Sequence, residues 1–448
     1  MRKLPLAIWA MVVGAFAMGA DEFIVAGVVQ EIAEALGVSL GAVGHLESVY
    51  ALGVAVGAPV FTAVGTRFGR RAMLLTTTGV FLAGNLLSAL GPTYGTIMAG
   101  RIVSATAHGA FLGIAAVFAA ELVDPARKGR AVAIVFSGLT AATILGAPLG
   151  AAVGQAFGWR FTFWTLVVFG GIALLGLLAS LPRTAPATAG GHVGEGPVHG
   201  HHDAPAGDEF AGLDAHALAH LGGGGHGPTL REQLAALGRP AVWAALLTTL
   251  LGYGGVFTSY VYIAPQLTEV GGFDRVWVTP LLLLFGAGLF VGNHLGGKLA
   301  DRSLQPAILG TVGVLAVVMF AMGPAFGNRA AAVVMMFVFG AAAFAVVAPL
   351  QLRVMTAAGH APDVASAANI SAFTLGSALG IYLGGAAIDA GLGLTSVNWI
   401  GGLITTSGLL VAVLTWALLD RRPQKADHVR QPESESVHHD HEVVGHHH

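Results

Sequence analysis

Long apolar runs, separated by short charged or turn-rich breaks, set the pattern of this chain. Twelve can be traced. In the first half they cover roughly residues 5–28, 44–63, 73–91, 96–118, 131–153 and 161–181, designated spans 1–6. In the second half they cover roughly 241–264, 277–297, 305–324, 330–350, 367–388 and 398–419, spans 7–12. A bilayer core about 30 Å thick takes roughly 20 residues of helix. Backbone groups cannot go unpaired in hydrocarbon, so runs of this length predict helices. The alternating strands of a membrane barrel are absent from the pattern. Arg2 and Lys3 precede span 1 as they would in a secretory leader, but no cleavage site follows and the apolar run continues into a full span.

The breaks divide the chain into four parts. Residues 1–181 predict an N-terminal six-helix bundle, and 241–419 a C-terminal one. Residues 182–240 form a connector rich in Gly, Pro, Ala and His, too polar to span and too loose to pack. Its end, TLREQLAALGRP, has the pattern of a short amphipathic helix. Residues 420–448 form a polar, His-rich tail. The expected fold is all-α: twelve transmembrane helices in two pseudo-symmetric bundles, with a cleft between them that opens alternately to either side. With both termini placed inside, 18 of the 22 Lys and Arg residues fall in cytoplasmic segments. Arg101, Arg160, Arg275 and Arg329 are left for the outer side or the membrane, so positive charge predicts cytoplasmic termini.

Composition agrees with this picture. Hydrophobic residues make up 55% and charged residues 10% of the 448, against about 25% charged in a soluble domain. The absence of cysteine excludes disulfides and thiolate chemistry. A net charge of −2 without a basic stripe argues against a nucleic-acid partner. No phosphate-binding loop, hydrolase elbow or zincin helix occurs, so neither a nucleotide-driven pump nor an enzyme is expected, and no cofactor is implied.

Ionisable groups inside apolar spans are costly and usually face a cavity. Asp21 and Glu22 lie past the middle of span 1, and adjacent helical residues point about 100° apart, so only one can face fully into the cleft. Desolvation favours the protonated form of a carboxyl, which suits a proton carrier. Arg101 at the start of span 4 is a candidate partner for a span 1 acid. His108, two turns deeper, is a candidate for the same relay or for a packed, hydrogen-bonded core position. His45 and Glu47 begin span 2 and are expected at a solvated outer edge, Glu47 being the better candidate of the two for a cavity position. Phe23, Phe111, Phe136, Tyr260, Asn293 and His294 are candidates for lining a substrate cleft. Trp159, Trp164, Trp277 and Trp399 near span ends fit an interfacial belt.

A specific resemblance rests on DEFIVAG in span 1, YALGVAVGAP in span 2, and GTRFGRR in the 2–3 turn. It extends through GNLLSALGP, RIVSATAHGAFLGIAAVFAAELV, GLTAATILGAPLGAAVGQAFGWRFTFW and, at span 8, GNHLGGKLADR. The chain resembles the major facilitator superfamily, and within it the proton-coupled drug antiporters of the arabinose-efflux and chloramphenicol-resistance types. The resemblance implies that Glu22, matching the acid of the family's first-helix motif, carries the proton, with Asp21, Arg101 and His108 around it. It implies that Arg67, Gly69, Arg70 and Arg71, with Asp301 and Arg302 in the second half, form gating loops. Gly146, Pro148 and Gly150 match the antiporter motif of span 5. Two positions depart from the pattern: Thr66 stands where an acid usually precedes the arginine, and Ala147 replaces the glycine before Pro148.

Fourteen of the 18 histidines lie in the connector and tail. His199, His201, His202, His438, His439 and His441 are candidate ligands for Zn or Ni. They support a second reading, a metal or metal-chelate exporter; adventitious metal binding is the alternative. The leading expectation is a monomeric, multi-pass protein of the bacterial inner membrane. It would export a small organic molecule, drug-like or sugar-like, with the proton gradient as energy source.

Overall fold

A computed structural model describes residues 5–65, 69–124, 127–181, 237–359 and 362–420. The expected connector and tail fall almost wholly outside these residues. Among the described residues the secondary structure is helical, without strands, and twelve helices are long and apolar enough to cross a membrane. Spans 1–6 are Leu6–Gly27, Leu40–Gly57, Arg70–Leu90, Tyr94–Glu121, Lys128–Phe157 and Arg160–Ser180. Spans 7–12 are Pro240–Tyr260, Arg275–Arg302, Leu304–Phe326, Arg329–Ala358, Val364–Asp389 and Ser396–Leu418. An even number of crossings puts the starts of spans 1 and 7 and the ends of spans 6 and 12 on one face, here the terminus face; the opposite one is the distal face.

Several helices run further than their apolar cores. Span 2 starts at Leu40 rather than residue 44, and span 5 extends from Lys128 to Phe157 rather than 131–153. Span 10 continues to Ala358, with one irregular residue at Val346 between helices Arg329–Ala345 and Val347–Ala358. The helical backbone thus extends beyond the most apolar stretch of each run, so hydropathy alone underestimates length. Local signals still set some boundaries. Thr93 caps span 4 by accepting from the Thr96 amide, and Pro240 opens span 7 where its missing N–H costs nothing.

The two halves repeat one packing scheme. Span 1 packs on spans 5 and 6, span 2 on span 4, and span 3 on spans 4 and 6. Span 7 packs on 11 and 12, span 8 on 10, and span 9 on 10 and 12. Small residues at four-residue spacing make the central contacts. In span 5, Gly138, Ala142, Gly146, Gly150 and Gly154 form one stripe against span 1. A methyl group on Gly150 would stand 2.2 Å from the Ile24 carbonyl oxygen. In span 11, Gly376 and Gly380 meet the Leu250 and Gly254 carbonyls of span 7 in the same manner. Backbones brought this close gain dispersion along the whole contact, the main attraction available between helices in lipid.

The halves meet through spans 2 and 11 and through spans 5 and 8. At the distal face the contact is closed by polar groups. Span 1 gives way to a short helix, Val29–Leu36, which ends at Gly37 with φ of +64°. On that helix the Gln30 amide donates to Thr268 Oγ1 at 2.9 Å and to Glu269 Oε1 at 2.8 Å. Arg275 donates to Glu34 at 2.5 Å, and its carbonyl accepts from Gln155 at 2.7 Å. Each of these bonds crosses between the halves.

Candidate functional site

Four polar side chains lie at a common depth in the N-terminal half. Asp21 is six residues before the end of span 1, Glu47 and Arg101 each seven after the start of their helices, and Asn85 five before the end of span 3. At 1.5 Å per residue this places all four roughly 8–11 Å below the distal ends of their helices. Four small or apolar-faced helices therefore bring them together.

Arg101 is the centre, fully buried. One guanidinium nitrogen donates to both the carboxylate and the backbone carbonyl of Asp21, the latter at 3.0 Å. The other donates to Glu47 Oε1 at 2.6 Å. Asn85 Nδ2 completes the Asp21 shell at 3.0 Å from its second oxygen. The guanidinium lies 4.0 Å from the ring centre of Tyr50, a cation–π contact. The Tyr50 hydroxyl is 3.0 Å from His108 Nδ1 and 3.3 Å from the Met18 carbonyl oxygen. A continuous buried chain thus runs from Asn85 and Asp21 through Arg101 and Tyr50 to His108.

Glu22 stands apart from this cluster. It is only partly buried, while Asp21 is fully buried. The two adjacent acids divide as the helix period requires, Asp21 toward Arg101 and Glu22 onto a different face of span 1, incompletely buried. Beside it lies a run of seven linked rings. Phe23 of span 1 contacts Phe257 and Tyr260 of span 7, at centroid separations of 6.0 and 5.9 Å. From there rings continue through Tyr253 to Phe373 of span 11, and through Phe285 of span 8 to Phe339 of span 10. Toward the terminus face, Ser137 and Thr140 of span 5 are exposed and Phe136 partly so. The arrangement is a carboxyl at the edge of an aromatic partition, backed by a buried charge cluster.

A family model described as Major Facilitator Superfamily matches residues 11–380. The chain belongs to the major facilitator superfamily. Among similar curated proteins is the inner membrane transport protein YdhP of Escherichia coli K12. It is 39% identical over 413 residues, covering 92% of this chain and 96% of the relative. A chloramphenicol resistance protein of Streptomyces lividans is 34% identical over 414 residues, covering 91% and 96%. This superfamily member is therefore a multi-pass membrane transporter whose relatives include an inner membrane transport protein and a chloramphenicol resistance protein.

The structure places the remaining expected site residues as follows. Of the two span 1 acids it is Asp21 that pairs with Arg101, which is fully buried. Glu47 is buried on Arg101 and not at a solvated edge, because span 2 begins a full turn earlier and its first turns pack against the other half. His45 stacks on Tyr382 of span 11 at 5.1 Å. Phe111 is fully buried against Gly14, inside the N-terminal core and away from the cleft. Tyr260 belongs to the aromatic partition, Asn293 is partly buried and His294 exposed on span 8. Gly69 precedes span 3, Arg70 forms an ion pair with Glu121 at the end of span 4, and Arg71 is partly buried beside it. Asp301 and Arg302 are exposed. Gly146 and Gly150 pack on span 1. Pro148 sits inside an unbroken helix, where it leaves the Ile144 carbonyl without its helical donor. That carbonyl lies against Gly286 of span 8. Thr66, Arg67 and all six candidate metal-ligating histidines lie outside the described residues. Among the described residues no group of three His, Cys, Asp or Glu is placed to hold a metal ion. Sequence reasoning missed Asn85 and Tyr50 and undervalued Glu47; the depth that Asn85 and Glu47 share with Asp21 and Arg101 is the signal that identifies those two.

Proposed function

We propose that this transporter exports a small organic molecule, drug-like or sugar-like, across the bacterial cytoplasmic membrane in exchange for protons. The observation that carries the proposal is Glu22, an incompletely buried carboxyl within span 1, one residue from a buried carboxylate–guanidinium cluster and beside an aromatic partition. The positive-inside pattern puts the terminus face in the cytoplasm. A closed distal face then corresponds to a state in which Glu22 answers to the cytoplasmic side. A substrate with an apolar body rests on Phe23, Phe257 and Tyr260, and its arrival displaces a proton from Glu22. With the proton gone, the site rocks outward, releases the substrate and is reprotonated from the more acidic side. The chloramphenicol resistance named for the Streptomyces relative makes phenicols the first compounds to try.

The test uses energised inside-out vesicles carrying the full chain. Chloramphenicol, ethidium, arabinose, and Zn or Ni salts are added in turn while luminal acidity is followed. Proton efflux triggered by one of the organic compounds and lost in Glu22→Gln at equal expression is the expected result. Uphill export persisting in Glu22→Gln contradicts the role of Glu22, and a response to metal salts alone replaces the organic substrate with a metal.

A further inference from the structure

The cluster around Arg101 carries more negative groups than positive. Asp21 and Glu47 share one guanidinium, with Glu22 next to Asp21 on span 1 but outside the cluster's hydrogen bonds. The Tyr50 ring lies on the guanidinium and its hydroxyl turns to His108 and the Met18 carbonyl. His108 contacts the cluster only through Tyr50. Were Asp21 and Glu47 both ionised, the cluster would carry one uncompensated negative charge deep in protein, and an ionised Glu22 beside it would add a second. Breaking the balance of a buried ion cluster is strongly unfavourable, and the usual resolution is proton uptake.

The hydrogen bonds say where those protons belong. Asp21 receives the Arg101 guanidinium at one oxygen and the Asn85 amide at the other, and hydrogen bonds to a charged form favour it. Glu47 receives a single donor, Arg101 at 2.6 Å. Glu22 makes no hydrogen bond among the described residues. Asp21 is therefore the acid built to stay ionised, and the two glutamates are the acids left to be neutralised.

Building on the antiport reading above, we infer that Glu47 is a second proton-holding carboxyl. With the distal face closed, the cluster stores two protons, one on Glu22 and one on Glu47, while Asp21 remains ionised on Arg101. When Glu47 loses its proton, Arg101 faces two carboxylates of equal charge and can shift between spans 1 and 2, the latter packed on span 11 of the other half. Glu47 is thus a positioning group for Arg101 as well as a proton store.

Infrared difference spectroscopy on the full-length protein in nanodiscs tests this without any substrate. At neutral pH the wild type should show two protonated-carboxyl stretches that shift on incorporation of carbonyl-labelled glutamate and not of labelled aspartate. Glu22→Gln and Glu47→Gln should each remove one of them, with folding checked by the thermal melt of each variant. Labelling of the wild type keeps the test independent of any variant that fails to fold. A spectrum unchanged in folded Glu47→Gln, or a band that follows aspartate labelling, overturns the inference. Both glutamate bands in a protein that moves no protons with any substrate would uphold it and sink the antiport reading alone.

Discussion

One guanidinium serves two carboxylates and an aromatic face at Arg101, a combination that depends on its planar, two-pronged donor geometry. Lysine keeps the charge but cannot bridge Asp21 and Glu47 in that way. Arg101→Lys should therefore fold, while losing a charged hydrogen bond worth about 1.5–3 kcal/mol. If that bond stabilises the conformer through which transport passes, turnover falls roughly ten- to hundredfold. Paired measurements of thermal melting and vesicle transport check this; equal transport in Arg101→Lys would show that bridging is dispensable. Much of this site was legible in residue type alone. A carboxyl pair and an arginine inside apolar runs announce a buried ionic site. The partners were harder to read, because hydropathy started span 2 too late and so left Glu47 at an edge. Which of Asp21 and Glu22 takes the arginine depends on rotation of span 1 about its axis, fixed by the glycine stripe of span 5, which no local pattern reveals.

Helix contacts set that rotation. Twelve spans could be read from apolar runs because lipid forces every unpaired backbone group into a helix. Their partners follow from small residues at four-residue spacing, visible in the sequence as a Gly-rich pattern but assigned to partners only by the fold. Gly150 sits where span 5 meets the turn leaving span 1, with the Ile24 carbonyl and side chain against it. Gly150→Ile should overpack this contact at a cost of about 1–3 kcal/mol, and should also tilt Asp21 and Glu22 away from their places. Gly171→Ala, at a position with open space around it, serves as the control. Melting temperature and transport should both fall in the first and hold in the second. A Gly150→Ile protein with wild-type transport would separate the stripe from the site.

For the whole molecule the central quantity is the balance between distal-closed and distal-open states. The closing contacts include the Arg275–Glu34 ion pair and the Gln30–Glu269 hydrogen bond, and Glu31 stands on the same Val29–Leu36 helix. Partial burial raises Glu31 above its usual range, against the lowering effects of its backbone hydrogen bond and Arg275. A carboxyl whose proton affinity is higher in the closed state favours that state at low pH. The contribution is present below its raised value and is lost as pH climbs through it. Acid on the distal side should therefore favour closure, and Glu31→Gln should flatten the dependence. The chain has no native cysteine, so Ala35→Cys and Val276→Cys can carry spin labels directly. A distance distribution that narrows toward the closed separation as pH falls is expected; no shift with pH, or a shift equal in Glu31→Gln, contradicts it.

The coupling itself is most directly tested in proteoliposomes holding only the purified full chain and a pH-sensitive dye in the lumen. Chloramphenicol, ethidium and arabinose are offered against an imposed pH gradient, with wild type and Glu22→Gln compared. The account predicts that at least one organic compound moves uphill in wild type with matching counterflow of protons, and that neither flux survives in Glu22→Gln. Uphill export without proton movement, or proton movement untouched by removal of the Glu22 carboxyl, would contradict it.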